Sequence, residues 1–344
     1  MMPGFFRDQA RRLLGICLRP IYAGTGCIVV LHRVLPRAER SALAENRALE
    51  IAVEDLRLLL EWVRAAKLDP VALDAVPERL ARPQGRKFIA FTLDDGYRDN
   101  LTQALPLFRE FGVPFTVNVT TGLVARTASV WWYFLERLLA GRSVVRFSWD
   151  NQTQVWPCAT PQERDESFAG LAALIRAQRP ATRDALLRAL GEGSGLDPLG
   201  DARQIILTWD EVRQLAAEPL ATIGAHTAGH YNLNRLHEAE VRAEMLGARE
   251  EIETQLGRPV RHFAYPFGGC SAVNEREFRL AAECGFTTMM TTRIANLFPE
   301  HAELLDRLPR LVVSGNYPII SSLGALESGF TTVLRGDYRR VVTL

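Results

Sequence analysis

The feature that most constrains this chain is a repeated change of rhythm, from short apolar β-branched runs to longer segments with helical spacing. GCIVVLH, Gly26 to His32, and KFIAFTLDD, Lys87 to Asp95, each run apolar until a polar end, and PFTVNVT spans Pro114 to Thr120. Such runs have the pattern of buried parallel strands. Helical spacing fills the intervals, in VEDLRLLLEWVRAAK (53–67) and from Leu101 to Phe111. The alternation continues through a helix at TWDEVRQLAAE, strands at 221–226, 262–266, 287–292 and 310–313, and helices from Glu238 to Leu256 and from Glu275 to Cys284. Strands alternating with helices predict βα units around a largely parallel sheet, covered on both faces or rolled into a barrel. Six or seven units fit a barrel or an incomplete one, and 344 residues suffice for one large core.

The rhythm breaks over 127–203, where WWYFLERLLAG, RDESFAGLAALIRAQ and ATRDALLRALG read as consecutive helices, a helical insertion. Residues 5–19, FFRDQARRLLGICLR, read as a basic amphipathic helix that either packs on the domain or rests on a membrane surface as a peripheral contact. The expected organisation is one barrel domain over 1–344, with an N-terminal helical extension at 1–25.

Charge narrows the partners. With 41 Lys+Arg against 40 Asp+Glu, the formal charge of +1 supplies no global field for nucleic acid. The longest run without Asp, Glu, Lys or Arg, Leu311 to Leu326, is too short and polar to span a bilayer. Arg7, Arg11, Arg12 and Arg19 break up the apolar start, so no signal peptide is read and the expected location is cytoplasmic. Five scattered cysteines, Cys17, Cys27, Cys158, Cys270 and Cys284, have no C-x-x-C spacing and are expected as buried thiols.

The residues able to do chemistry stand at the ends of the expected strands: His32, Asp94 and Asp95, His226, and Pro266 with its glycines. A (β/α) barrel builds its active site on that rim, and a doubly wound sheet gathers ligands at the equivalent edge. No G-x-G-x-x-G or P-loop accompanies them. Two of only six histidines, His226 and His230, share HTAGH, where i, i+4 spacing can bring two imidazoles to one side of a loop, a donor set suited to Zn²⁺ and several other divalent ions. In FTLDDG, Asp94 and Asp95 would point to opposite faces unless the chain leaves strand geometry there. One carboxylate would complete a metal site while the other stays free as a base; the bland alternative is an Asp-Gly turn with Asp95 capping a helix. A His-His-Asp site with open positions suggests hydrolysis by a metal-acidified water, though the same ligands describe the facial triad of non-haem Fe(II) oxygenases.

Taken together, FTLDDGYRDN, HTAGHYNLNRL and FAYPFGG, in that order, resemble the motifs of NodB-type polysaccharide deacetylases, carbohydrate esterase family 4. The resemblance implies a distorted (β/α)7 barrel, incomplete and TIM-like, and metal-dependent removal of acetyl groups from an N-acetylated sugar or polysaccharide. It implies Asp94 as general base and Asp95, His226 and His230 as ligands of a divalent metal ion, expected as Zn²⁺. The family's C-terminal Leu-x-His motif is missing, whereas VLHRV places His32 near the N-terminus, similar to the permuted branch in which the histidine strand comes first; His32 would then be the catalytic acid. Aligning R-P-P-Y-G on AYPFG puts Ala264 where an arginine commonly holds the base, and Arg310, opening a late strand, is the candidate replacement, with Arg307 and plain surface solvation as the alternatives. Phe267 replaces a tyrosine whose backbone N–H would face the oxyanion, and Tyr265 and Trp209 are candidates to line a sugar site, with core packing the alternative for Trp209. Trp131 and Trp132 either shape the cleft mouth or anchor the insertion; His237, His262 and His301 receive no role. The missing arginine leaves open a second reading, a catalytically silent carbohydrate-binding barrel.

Overall fold

The computed structural model describes residues 21–319, together with 329, 332 and 339–342. The helix expected over 5–19, with Cys17, lies outside them. Seven parallel strands form the centre: β1 (Gly26–Leu31), β2 (Phe88–Asp95), β3 (Phe115–Val119), β4 (Ala221–Ala225), β5 (His262–Ala264), β6 (Thr288–Met290) and β7 (Leu311–Val312). They lie side by side in the order β6-β5-β4-β3-β2-β1-β7, and the short strand Asp69–Pro70 also pairs with the start of β2. All eight residues of β2 and all six of β1 are buried, so the continuous apolar runs in the sequence face packed layers on both sides. Beyond β6 the chain crosses the seam: Leu308 bridges to Met290, and Leu311–Val312 then pair with Val29 and Val30 of β1. The sheet is therefore a curled, incomplete (β/α)7 barrel.

Helices cover the outside with the expected spacing. In α1 (Val53–Ala65), Leu56, Leu59, Leu60 and Val63 are buried, an i, i+3, i+4, i+7 stripe. The helix Trp209–Ala216 starts from a capping box in which Thr208 and Glu211 satisfy each other's backbone N–H groups, and Trp209 packs partly buried against the core. No helix among the described residues is long and apolar enough to cross a membrane.

Within 127–203 the structure differs from the all-helical expectation. Helices Trp131–Leu139, Pro161–Arg176, Pro180–Glu192 and Gly200–Ile205 are present, but an antiparallel hairpin, Val144–Trp149 with Gln152–Pro157, stands between the first two. Its signals are local: Val145 and Phe147 are buried while Arg146 and Ser148 are exposed, and both turn residues, Asp150 and Asn151, have positive φ (52° and 56°). Phe134, Phe168 and Leu171 from this segment join the same buried cluster as the barrel residues. One cysteine expectation is corrected as well: Cys27, Cys158 and Cys284 are buried, but Cys270, in the loop after β5, is exposed.

Candidate active site

The candidate site sits where β1 to β5 end. The β2–β3 register sets Asp94 beside Asn118 and Asp95 beside Val119. Adjacent acids serve one site because the chain leaves strand geometry at the second: Asp95 has φ of 74° and Gly96 follows at 80°. Four of the eight non-glycine residues with positive φ among the described residues gather here, Asp95, Thr227, His230 and Phe267. Each conformation costs of order 1–3 kcal/mol, and such strain persists where the surroundings over-determine it, commonly at functional sites.

Asp94 is 1% exposed and fully engaged. Arg310, itself 0% exposed, donates from Nη1 to Oδ1 (2.9 Å) and from Nη2 to Oδ2 (2.7 Å), and Asn118 Nδ2 donates to Oδ1 (2.8 Å). The guanidinium is braced in turn, Nη1 on Thr92 Oγ1 (3.1 Å) and Nε on the Thr291 carbonyl (2.9 Å). Burial pushes the Asp94 carboxyl up, but the charge of Arg310 outweighs it with help from His226 and His32, leaving its pKa at about 2. The guanidinium that Ala264 cannot offer Asp94 comes instead from Arg310, just before β7.

Asp95 has opposite surroundings. Its Oδ1 is buried without a hydrogen bond, while His226 Nε2 and His230 Nε2 stand 3.4 and 3.3 Å away, ionic distances rather than hydrogen bonds. Burial pushes this carboxyl up, and the two imidazoles more than reverse that, holding it well below the usual range. One ligand atom from each of the three residues lies within 4.8 Å of the others. An orphaned buried carboxylate oxygen facing two imidazole nitrogens is a donor set that fits a divalent cation. His226 Nδ1 donates to the Ala264 carbonyl (2.7 Å), leaving Nε2 as the free donor atom, the outer contact common to metal-binding histidines.

His32 follows β1, partly exposed, with its carbonyl accepting from Asn100 Nδ2 (2.8 Å). Burial lowers its pKa; the charges of Asp95 and Asp94 act against that, whereas those of Arg310 and His226 add to it, so its ring lies among the site's charges. Phe267, also partly exposed, is the central residue of a γ-turn closed by Gly268 N–H on the Pro266 carbonyl (2.7 Å), at φ of 61°. Its ring meets His230 edge-on at 5.0 Å. Tyr265 does not join them: it is fully buried, packs against Phe263 and Phe278, and donates its hydroxyl to the Asp306 carbonyl (2.8 Å). Side chains alternate along an extended chain, and Tyr265, just past β5, follows Phe263 onto the core-packed side.

Asn118 and Arg183 escape sequence reasoning, and Trp132 is named there only as shaping the cleft mouth or anchoring the insertion. Asn118 carries a weak signal, as the one amide in an apolar strand. Trp132, from the insertion, is 5% exposed, lies 5.1 Å from the His230 ring and donates Nε1 to Tyr97 Oη (2.9 Å). Arg183, also from the insertion, holds the His230 loop and carries no local signal at all. Two surface cavities, near Phe88 and near His262, lie at the other end of the strands.

Comparison with known proteins bears on this geometry. The family model for polysaccharide deacetylase matches residues 81–289. The chain belongs to the polysaccharide deacetylase family. Among solved structures it is similar to the deacetylase PplD of Streptococcus pyogenes, solved with acetate, at 15% identity and a TM-score of 0.57 over 88% of this chain and 97% of that one. It is also similar to the deacetylase domain of BpsB from Bordetella bronchiseptica (20% identity, TM-score 0.52, 83% and 95% covered). IcaB from Ammonifex degensii gives 16% identity and a TM-score of 0.53, with 87% and 96% covered. No curated protein matches the chain. At these identities the structural likeness establishes the shared fold.

Proposed function

We propose that this protein is a metal-dependent hydrolase that removes the N-acetyl group from an N-acetylated sugar or glycan. The observation that carries the proposal is the buried, hydrogen-bond-free Asp95 Oδ1 facing the Nε2 atoms of His226 and His230, beside a second carboxylate fully satisfied by Arg310. Asp95, His226 and His230 would hold the ion, expected as Zn²⁺. When bound, a divalent ion there would polarise the acetamide carbonyl and bring the pKa of a water down towards about 7.

The chain's own groups divide the remaining work. Asp94, at about 2, is ionised at every working pH and accepts the proton of the attacking water; so weak a base suits only a water already made acidic. Arg310 and Asn118 fix the carboxylate and keep it charged. His32 protonates the departing amine, and burial makes it a stronger acid than free imidazole. The Phe267 N–H, with no acceptor among the described residues, is the donor for the oxyanion. His32, just past the end of the first strand, would act from the place that the permuted order implies.

The alternative, a catalytically silent carbohydrate-binding barrel, drew on the lack of a motif arginine, and the buried Arg310–Asp94 pair supplies a guanidinium to that acid. The test is elemental analysis after dialysis against a weak chelator and readdition of Zn²⁺, followed by acetate release from N-acetylated oligosaccharides. About one metal per chain with acetate released is the expected result. Metal and glycan bound without acetate release would favour the silent barrel, and a folded protein that takes up no metal would overturn the mechanism.

A further inference from the structure

The two histidines beside Asp95 are held in different ways. His226 has the backbone carbonyl of Ala264 on its Nδ1, whereas His230 Nδ1 is buried with no partner. On the barrel side His230 has the Phe267 and His226 rings at 5.0 Å and donates its N–H to Thr227 Oγ1 (3.0 Å), and two further contacts come from the insertion. Trp132 packs on its ring at 5.1 Å. Arg183, on the helix Pro180–Glu192 and 4% exposed, donates Nη1 to the His230 carbonyl (3.0 Å) and Nη2 to the Gly229 carbonyl (2.9 Å), and its guanidinium lies 3.6 Å over the Tyr231 ring.

This fork meets a loop that regular pairing cannot hold. Thr227 and His230 have φ of 64° and 53°. Glu244 Oε2 takes the Gly229 N–H (2.7 Å) from the far side, so Gly229 is gripped at its N–H by the barrel and at its carbonyl by the insertion. Burying a guanidinium is costly unless its donors are used, and the two carbonyls take Nη1 and Nη2 while Nε is left without a hydrogen bond.

We infer that the insertion is a working part of the metal-ligating loop and that Arg183 is the positioning residue through which it sets His230. The inference rests on the reading of Asp95, His226 and His230 as metal ligands. An outer contact of this kind is worth roughly 10–100-fold in metal affinity.

The test compares wild type, Arg183→Met and Arg183→Lys by chelator competition for Zn²⁺ and by the visible spectrum of bound Co²⁺, with thermal unfolding of the metal-free proteins alongside. Arg183→Met should bind Zn²⁺ about 10–100-fold more weakly and shift the Co²⁺ spectrum. Arg183→Lys should recover part of the affinity, because one ammonium keeps the charge but cannot fork onto both carbonyls. If Arg183→Met does not fold, the lysine variant decides, with a several-fold loss expected. A folded variant that is less stable yet binds Zn²⁺ and colours Co²⁺ like wild type would make Arg183 a packing residue only and overturn the inference. A wild type that binds no metal would instead remove the reading of the ligands itself.

Discussion

Asp94 and Asp95 are neighbours on one strand, both buried, and their surroundings are built on opposite principles. Around Asp94 every strong partner is present: a bidentate arginine, an asparagine, and a second tier of Thr92 and Thr291 that holds the arginine. Around Asp95 one oxygen is left without a hydrogen bond and two imidazoles approach without closing one. A satisfied buried carboxylate is a fixed charge, whereas an unsatisfied one facing ring nitrogens is a place for a cation. The difference arises from one backbone event, the turn to positive φ at Asp95, which releases its side chain from strand alternation.

The largest expected effect separates the two acids by what each loses. Asp95→Ala should abolish both metal content and acetate release. Asp94→Asn and His32→Ala should keep the metal and lower kcat at least about 10²-fold. Elemental analysis beside acetate assays reads this directly, and an Asp94→Asn protein that loses its metal would erase the division of roles. Stability should show the next largest effect. Arg310→Met leaves Asp94 as an uncompensated buried charge and should cost about 3–5 kcal/mol in urea unfolding. Adding Asp94→Asn to Arg310→Met removes the stranded charge and should restore most of the loss. Additive single effects would show that the pair is not the unit of stability described here.

The barrel was legible because parallel strands buried on both faces write themselves as apolar runs, and GCIVVL and FIAFTLDD do so without interruption. His226, His230, Asp94, Asp95 and His32 could be named as candidates because they stand at or just beyond the ends of such runs, although an Asp-Gly turn accounts for the two acids as well. Arg310 could be named as a candidate from its place before β7, but its grip on Asp94 spans 216 residues and exists only once the chain has curled around. Arg183 carries no signal, since an arginine in ATRDALLRALG reads as a solvated helix face until the insertion docks, whereas Trp132 could be named only as shaping the cleft mouth or anchoring the insertion. The hairpin was overlooked because its alternation is short and its Asp150-Asn151 turn lacks glycine. Tyr265 shows how little separates a rim residue from a core one, since one step of strand alternation sends a side chain to the other face of the sheet.

The smallest effect tests the Asp94 side alone, through pH. Asp94 titrates at about 2 in the folded protein against an ordinary value of 3.8. A folded pKa below the unfolded one means that the unfolded chain takes up its proton first as the solution is acidified. The resulting stabilisation is fully present above about pH 4 and disappears as the pH falls through about 2. Its size is about 2 kcal/mol. The reference is the double variant Arg310→Met/Asp94→Asn, which lacks both charges while keeping Asp95, His226 and His230, so their titrations largely cancel in the difference. Urea unfolding of the two metal-free proteins between pH 6 and pH 2 should show wild type losing about 2 kcal/mol more than the double variant, nearly all of it below pH 4. Parallel curves would mean that Arg310 does not lower the pKa of Asp94, and the fixed charge on which the proposed proton transfer depends would go with it.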